Sequence, residues 1–576
     1  MIRLLFFLLP FTLFSQSKLM TPFEQNKAQS ANYQQVMAFY EALEKQYPQY
    51  VKREIIAQGT DIGEPFTSVI VSKSGLFTPK EAREKGKSIL FINNAIHPGE
   101  PEGIDATMMF VRDVLAEKMG KNVLNDIVLV IIPVYNIDGC LNRGSFSRAN
   151  QEGPEEYGFR GNAKNLDLNR DFIKCDSRNA QSFNQVFGKW SPDVLVDNHT
   201  SNGADYQYTM TYISTQPDKL PPVLGTYLRE KMNPFLEKKM IEKGWEMCPY
   251  VMSADETPDA GIFGFDDTPR YSTGYAALHN TIGFMPETHM LKPFEDRVKS
   301  TYAFMEVVLQ FIFQEKNTIY ELRKKAEMAY LAQTKVAISW EIDEAQQDTF
   351  HFKGYEAKYK PSEISGFPRL YYDRNAPWEK DIPYWNRLKP VLEIKKPAFY
   401  LVPQAYTELV NLLKMNGVEV IMLEKDEVFE VEMYYIKDFK SPKTPYESHF
   451  LHSQVQVEKV SRKQPFHKGD FKVVANRFAI ETLEPQAPDS YFAWNRFDGI
   501  LQQKEYFSAY IFEDTAAEWL KQNPALRQEL EEKKKNDKDF AASGDAQLEW
   551  VYKHSLYYEP THNLYPIGRL GLITTD

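Results

Sequence analysis

From about Thr21 to Phe313 the sequence predicts an α/β layered fold, and three observations predict it. Short apolar runs without alternation read as strands buried on both faces. Between them, apolar residues recur at three- and four-residue spacing, as on one side of a helix. The two kinds of segment alternate along the chain. The strands fall at 88–96 (SILFINNAI), 126–136 (DIVLVIIPVYN), 192–198 (PDVLVDN) and 281–286 (TIGFMP), and the helices at 33–47, 103–119 and 292–314.

Ahead of these elements, residues 1–16 carry Arg3, an apolar run from Leu4 to Phe14 and then small polar residues. A run of about eleven residues falls short of the ~20 needed to span a bilayer, so it reads as a secretory signal and the protein as exported, periplasmic or extracellular. No later stretch is long and apolar enough for a membrane helix. Three cysteines, Cys140, Cys175 and Cys248, are too few for a disulfide framework. A net charge of −11, without a purely basic run, offers no footprint for nucleic acid.

The 576 residues, 43% hydrophobic and 14% aromatic, exceed what one core needs. Past a charged helical segment (NTIYELRKKAEMAYLAQ) the texture becomes aromatic, Pro-interrupted and β-leaning, with one strand–helix–strand unit at 398–423 in which Gly417 closes the helix. From Asp514 the pattern returns to helix. The expected division is a signal over 1–16, a catalytic domain over 17–320, a helical connector over 321–345 and a mixed α/β accessory domain over 346–576. His351, His449, His452, His467, His554 and His562 are scattered without ligand spacing. The accessory domain is expected to pack against the catalytic one and narrow its cleft.

The chemistry converges at strand ends. His97 and Glu100, three apart, could be no more than a polar turn before the helix near Gly103. However, His97, His199 and Glu287 each follow the end of a predicted strand, and α/β sheets bind ligands beyond the carboxyl ends of their strands. Two histidines and a carboxylate are what a catalytic zinc takes, and the water in its fourth position then needs a base, for which Glu287 is the candidate. A further segment, 158–172 (GFRGNAKNLDLNRDF), supplies Arg160, Asn169 and Arg170, suited to polarising a carbonyl and holding a carboxylate.

Taken in order, HPGE, YNIDG, RGNAKNLDLNRDF, VDNHT and PETHM resemble the zinc metallocarboxypeptidase family, of the carboxypeptidase A/B and N/E types, over about residues 21–310. The resemblance implies a carboxypeptidase-like mixed sheet flanked by helices. It implies one zinc ion held by His97, Glu100 and His199, with Asp167 hydrogen-bonded to a ligand histidine, Arg160 at the oxyanion, Asn169 and Arg170 on the terminal carboxylate of the substrate, and Glu287 as general base. The tyrosine that closes over substrate in that family has no clean counterpart. Phe265, Tyr271 and Tyr275 lie near its place, and Tyr275 is chosen. Expected partners are peptides with a free C-terminal carboxylate. Two alternatives are a zinc amidohydrolase acting on cell-wall peptides or acyl amino acids, and a vestigial peptide- or glycan-binding protein.

Overall fold

The structure is a computed structural model that describes residues 19–501 and 511–572. The signal expected over residues 1–16 lies outside the described residues. Among them, no helix is long and apolar enough to cross a membrane.

The centre is a nine-stranded mixed sheet. Its path runs Val51–Ile56, Phe66–Val71, Ile127–Ile132, Ser88–Asn93, Val194–Asp197, Ile282–His289, Met210–Ser214 and Met247–Pro249, with His199–Ser201 paired to Ile282–His289. The four middle strands are mutually parallel, and the flanking pairs are mostly antiparallel. This is the predicted class of fold, and all four predicted strands are present. The last runs further than its apolar run, through the polar residues Glu287 to His289, because neighbours on both sides take up its backbone groups.

The continuous apolar runs follow from burial on both faces. Leu90, Ile92, Leu129, Ile131, Val194 and Val196 point into one core, shared with the helices Tyr33–Gln46, Glu102–Leu115 and Phe294–Glu315. Ile89, Phe91, Val128, Val130 and Leu195 point into a second, shared with the helix Arg178–Trp190. That second core continues into the C-terminal part of the chain through Tyr400, Leu409, Leu413 and Phe478.

The strand–helix–strand unit is Pro397–Val402, Thr407–Met415 and Val420–Met422. Gly417, at φ +72°, terminates its helix as expected of a residue without a Cβ. The segment 321–345 is helical only to Ala332; Lys335–Ile342 is a strand, since its antiparallel partner Leu388–Lys395 lies alongside. Sheet hydrogen bonding also crosses between the two parts of the chain: Ile262–Phe263 pairs in parallel with the end of Pro368–Trp385. Cys140, Cys175 and Cys248 are all buried and free.

The helix Thr407–Met415 sits against Arg178–Trp190 at Gly188, where an added Cβ would lie 2.1 Å from the Met415 carbonyl oxygen. Gly188→Ala should therefore destabilise the protein by about 1–3 kcal/mol, since backbone cannot yield as a side-chain tip can. Denaturant unfolding measures it, and an unchanged midpoint would mean that the two helices are not held this closely.

Candidate metal and substrate site

The ends of three neighbouring strands bring the predicted residues together. His97 and Glu100 lie in the turn between Ser88–Asn93 and the helix Glu102–Leu115, whereas His199 opens a short strand whose register sets it beside Glu287. Ligand atoms of His97, Glu100 and His199 all lie within 4.8 Å of one another, and the three residues are 2–3% exposed.

The outer ring nitrogens fix both histidines. His97 Nε2 lies 2.8 Å from Asp167 Oδ1, and His199 Nε2 lies 3.0 Å from Asp197 Oδ2. Carboxylates only accept hydrogen bonds when ionised, so each Nε2 carries the proton and each Nδ1 presents a lone pair inward. His97 Nδ1 is buried with no hydrogen-bond partner, although Glu100 Oε1 is 3.2 Å away. An orphaned imidazole nitrogen facing a second imidazole and a carboxylate suits zinc, which prefers N and O donors in such a set. The residues present fit the metal.

Glu100 is held from behind. Arg148 Nη1 donates to Oε1 at 2.8 Å and the Thr200 N–H to Oε2 at 2.8 Å. Burial pushes its carboxyl up, but His97 and Arg148 override burial and hold it well below the usual carboxylate range. For His199, burial pushes down, but Asp197, Glu100 and Glu287 together outweigh it and hold the ring well above the usual imidazole value, so a metal binding there must displace a proton. Glu287 is 8% exposed, and burial pushes its carboxyl up to about 8 although His199 pulls the other way. A nearby dication would bring it down again.

The segment Asp167 to Arg170 forms the next wall. Arg160 donates from Nε and Nη2 to Asp167 Oδ2 at 3.2 and 2.9 Å, and its Nη1 lies 3.5 Å from Glu100 Oε1. Asn169 is buried, and its side-chain Oδ1 has no partner. The Arg170 guanidinium lies 4.4 Å from the centre of the Tyr271 ring. The turn is anchored by Asp171, whose fully buried carboxylate accepts from Lys174 Nζ, from Ser177 Oγ and from the backbone N–H groups of Asp176 and Ser177.

Tyr275 is not part of this wall. It is fully buried among Phe172, Phe187 and His279, and its hydroxyl donates to Asn416 Oδ1 at 2.6 Å. It faces the second core because the short helix Ser272–Leu278 turns it under the sheet, and so it cannot close over a substrate. Tyr250 instead lies within electrostatic reach of Glu287, Glu100, Arg160 and Arg170.

Sequence reasoning also passed over Asp197 and Arg148. Asp197 had a signal, since it stands two residues before His199 in VDNH; Arg148 had none.

Residues 36–211 match the model of the Peptidase_M14 family, described as zinc carboxypeptidase. Carboxypeptidase 2 of Trichophyton rubrum is 21% identical over 446 residues, covering 74% of this chain and 76% of the relative. Probable carboxypeptidase 2 of Arthroderma benhamiae is 20% identical over 444 residues, covering 74% and 78%. Among solved structures, a putative carboxypeptidase A from Shewanella denitrificans is similar at 15% identity and a TM-score of 0.37, covering 48% of this chain and 69% of that one. A metallo-carboxypeptidase from Pseudomonas aeruginosa is similar at 13% identity and 0.37, covering 50% and 70%.

Because Asp197 orients His199, Asp197→Asn should weaken zinc binding about 10- to 100-fold, read by competition with a chromogenic chelator. Unchanged affinity would show that the ring needs no such support. The resemblance read from the sequence thus holds: residues 36–211 match the zinc carboxypeptidase family, and that match together with the carboxypeptidase relatives supports a metallocarboxypeptidase.

Proposed function

We propose that the protein is an exported exopeptidase that hydrolyses the C-terminal peptide bond of peptides with a free α-carboxylate, with residues 17–320 as its catalytic domain and 346–576 as an accessory one. The observation that carries this reading is the convergence of His97, Glu100 and His199 within 4.8 Å, with Glu287 in register beside His199.

His97 Nδ1, a Glu100 carboxylate oxygen and His199 Nδ1 would hold one zinc ion. When bound, the metal supplies Lewis acidity to a carbonyl and makes an attacking water more acidic. Glu287 takes the proton of that water as the C–O bond forms and returns it to the leaving amine as the C–N bond then breaks, so that the amine departs neutral. Arg160, braced by Asp167, donates to the oxygen that becomes negative at the reacting carbon. Asn169 offers the NH2 of its buried side-chain amide, and Arg170 a guanidinium lying over Tyr271, as donors to the substrate's terminal carboxylate. Those groups favour a free C-terminus over an amide.

Glu287→Gln keeps the shape of the site and removes the base. Zinc-loaded protein incubated with a mixed peptide pool should release single C-terminal residues, detected by mass spectrometry, and the variant should do so at least about a hundredfold more slowly. Peptides with amidated C-termini should resist. A variant as fast as the unmodified protein would overturn the role of Glu287. Equal cleavage of free and amidated ends would point instead to an amidohydrolase.

A further inference from the structure

The C-terminal part of the chain reaches into the substrate side of the site. The strands Glu427–Lys440 and Ser453–Phe466 are antiparallel, and the loop joining them runs over residues 441–452. Ser441 Oγ and His452 Nδ1, 2.6 Å apart, close its base. At its tip Tyr446 and His449 exchange backbone hydrogen bonds around Glu447 and Ser448, which both have positive φ, +49° and +67°. Two central residues at positive φ make the tightest kind of hairpin turn, usually built with glycine or asparagine. Here a glutamate and a serine adopt it, and tertiary contacts supply the reason.

Three of those contacts go to residues 167–176, along and just beyond the substrate wall. Glu447 Oε2 accepts the Asp167 N–H at 2.9 Å, His449 Nε2 lies 2.8 Å from Asp176 Oδ2, and the Tyr446 hydroxyl accepts from Arg170 Nε at 3.1 Å. A second arginine lies beside the same ring. Arg270, paired with Asp489, lies over Trp494, on which the Tyr446 ring is stacked at 15°, and its guanidinium carbon lies 5.9 Å from the centre of the Tyr446 ring. The hydroxyl oxygen therefore accepts from Arg170 with a second guanidinium beside the ring, while its own proton has no acceptor among the described residues. A tyrosine hydroxyl has one proton to donate, and with its oxygen held by Arg170 that proton is free for an incoming anion. Tyr446 is 38% exposed, so the position is open to a ligand.

We propose that Tyr446 is a substrate-positioning residue: its hydroxyl, held on Arg170 by the 441–452 loop, donates to the terminal carboxylate of the substrate. This rests on the reading of Arg170 as the carboxylate anchor, and it makes the C-terminal region part of the binding site.

Tyr446→Phe removes the donor and keeps the ring stacked on Trp494. With zinc-loaded full-length protein, KM for a peptide with a free C-terminus should rise about tenfold while kcat stays within about threefold, the loss expected for one hydrogen bond to a charged group. An unchanged KM overturns the proposal. A second measurement is independent of hydrolysis: calorimetric binding of N-acetyl-leucine and of its C-terminal amide. The acid should bind about tenfold more weakly to the variant and the amide equally to both proteins. If the unmodified protein cleaves no peptide but the acid shows this loss, Tyr446 keeps its role and the hydrolytic reading fails. Equal binding of the acid to both proteins overturns the proposal even if peptides are cleaved. Ser448→Gly, at the same turn, should leave both measurements unchanged; a loss equal to that of Tyr446→Phe would mean that the shape of the tip matters and not the hydroxyl, and would overturn it.

Discussion

Everything at the site depends on keeping one carboxylate ionised where there is almost no water. Glu100 is 3% exposed, and an unpaired charge there would cost several kcal/mol. The chain meets that cost with Arg148, the Thr200 N–H and two imidazoles, and each of these needs its own support: Asp167 behind His97, Asp197 behind His199 and Asn93 beside Asp197. The result is a shell of alternating charges extending two residues deep. It explains why so many polar side chains are buried at the carboxyl ends of apolar strands.

Much of this was legible in the sequence because strands buried on both faces leave continuous apolar runs, and because residues just beyond such runs must lie at one edge of the sheet. His97, His199 and Glu287 were placed by that argument alone. Glu100 was visible as a weak pair with His97, and the family resemblance made it a ligand and added Asp167 behind His97. The side chains that complete the site escaped because they come from loops or from distant sequence. Arg148 lies in a loop of irregular path, and Tyr446 sits in a hairpin tip far along the chain, where no local pattern marks it.

Tyr275 shows the opposite failure. Its distance along the chain from Glu287 suited a residue over the cleft, but distance does not say which way a short helix faces. The aromatic neighbours Phe172, Phe183 and Phe187 form a pocket that a tyrosine ring fills, with Asn416 of the C-terminal part receiving its one polar atom. The same contact makes the C-terminal part an owner of the core and not an appendage to it.

That shared core has a mechanical consequence. Two bodies joined by a linker can swing apart to admit a large substrate, but here aromatic packing, a sheet pairing at Ile262–Phe263 and the Gly188–Met415 approach span both parts. Swinging would tear all three at once. The walls beside Arg170 are thus held by both parts of the chain at once, and a ligand meets them already in place rather than assembled by a hinge.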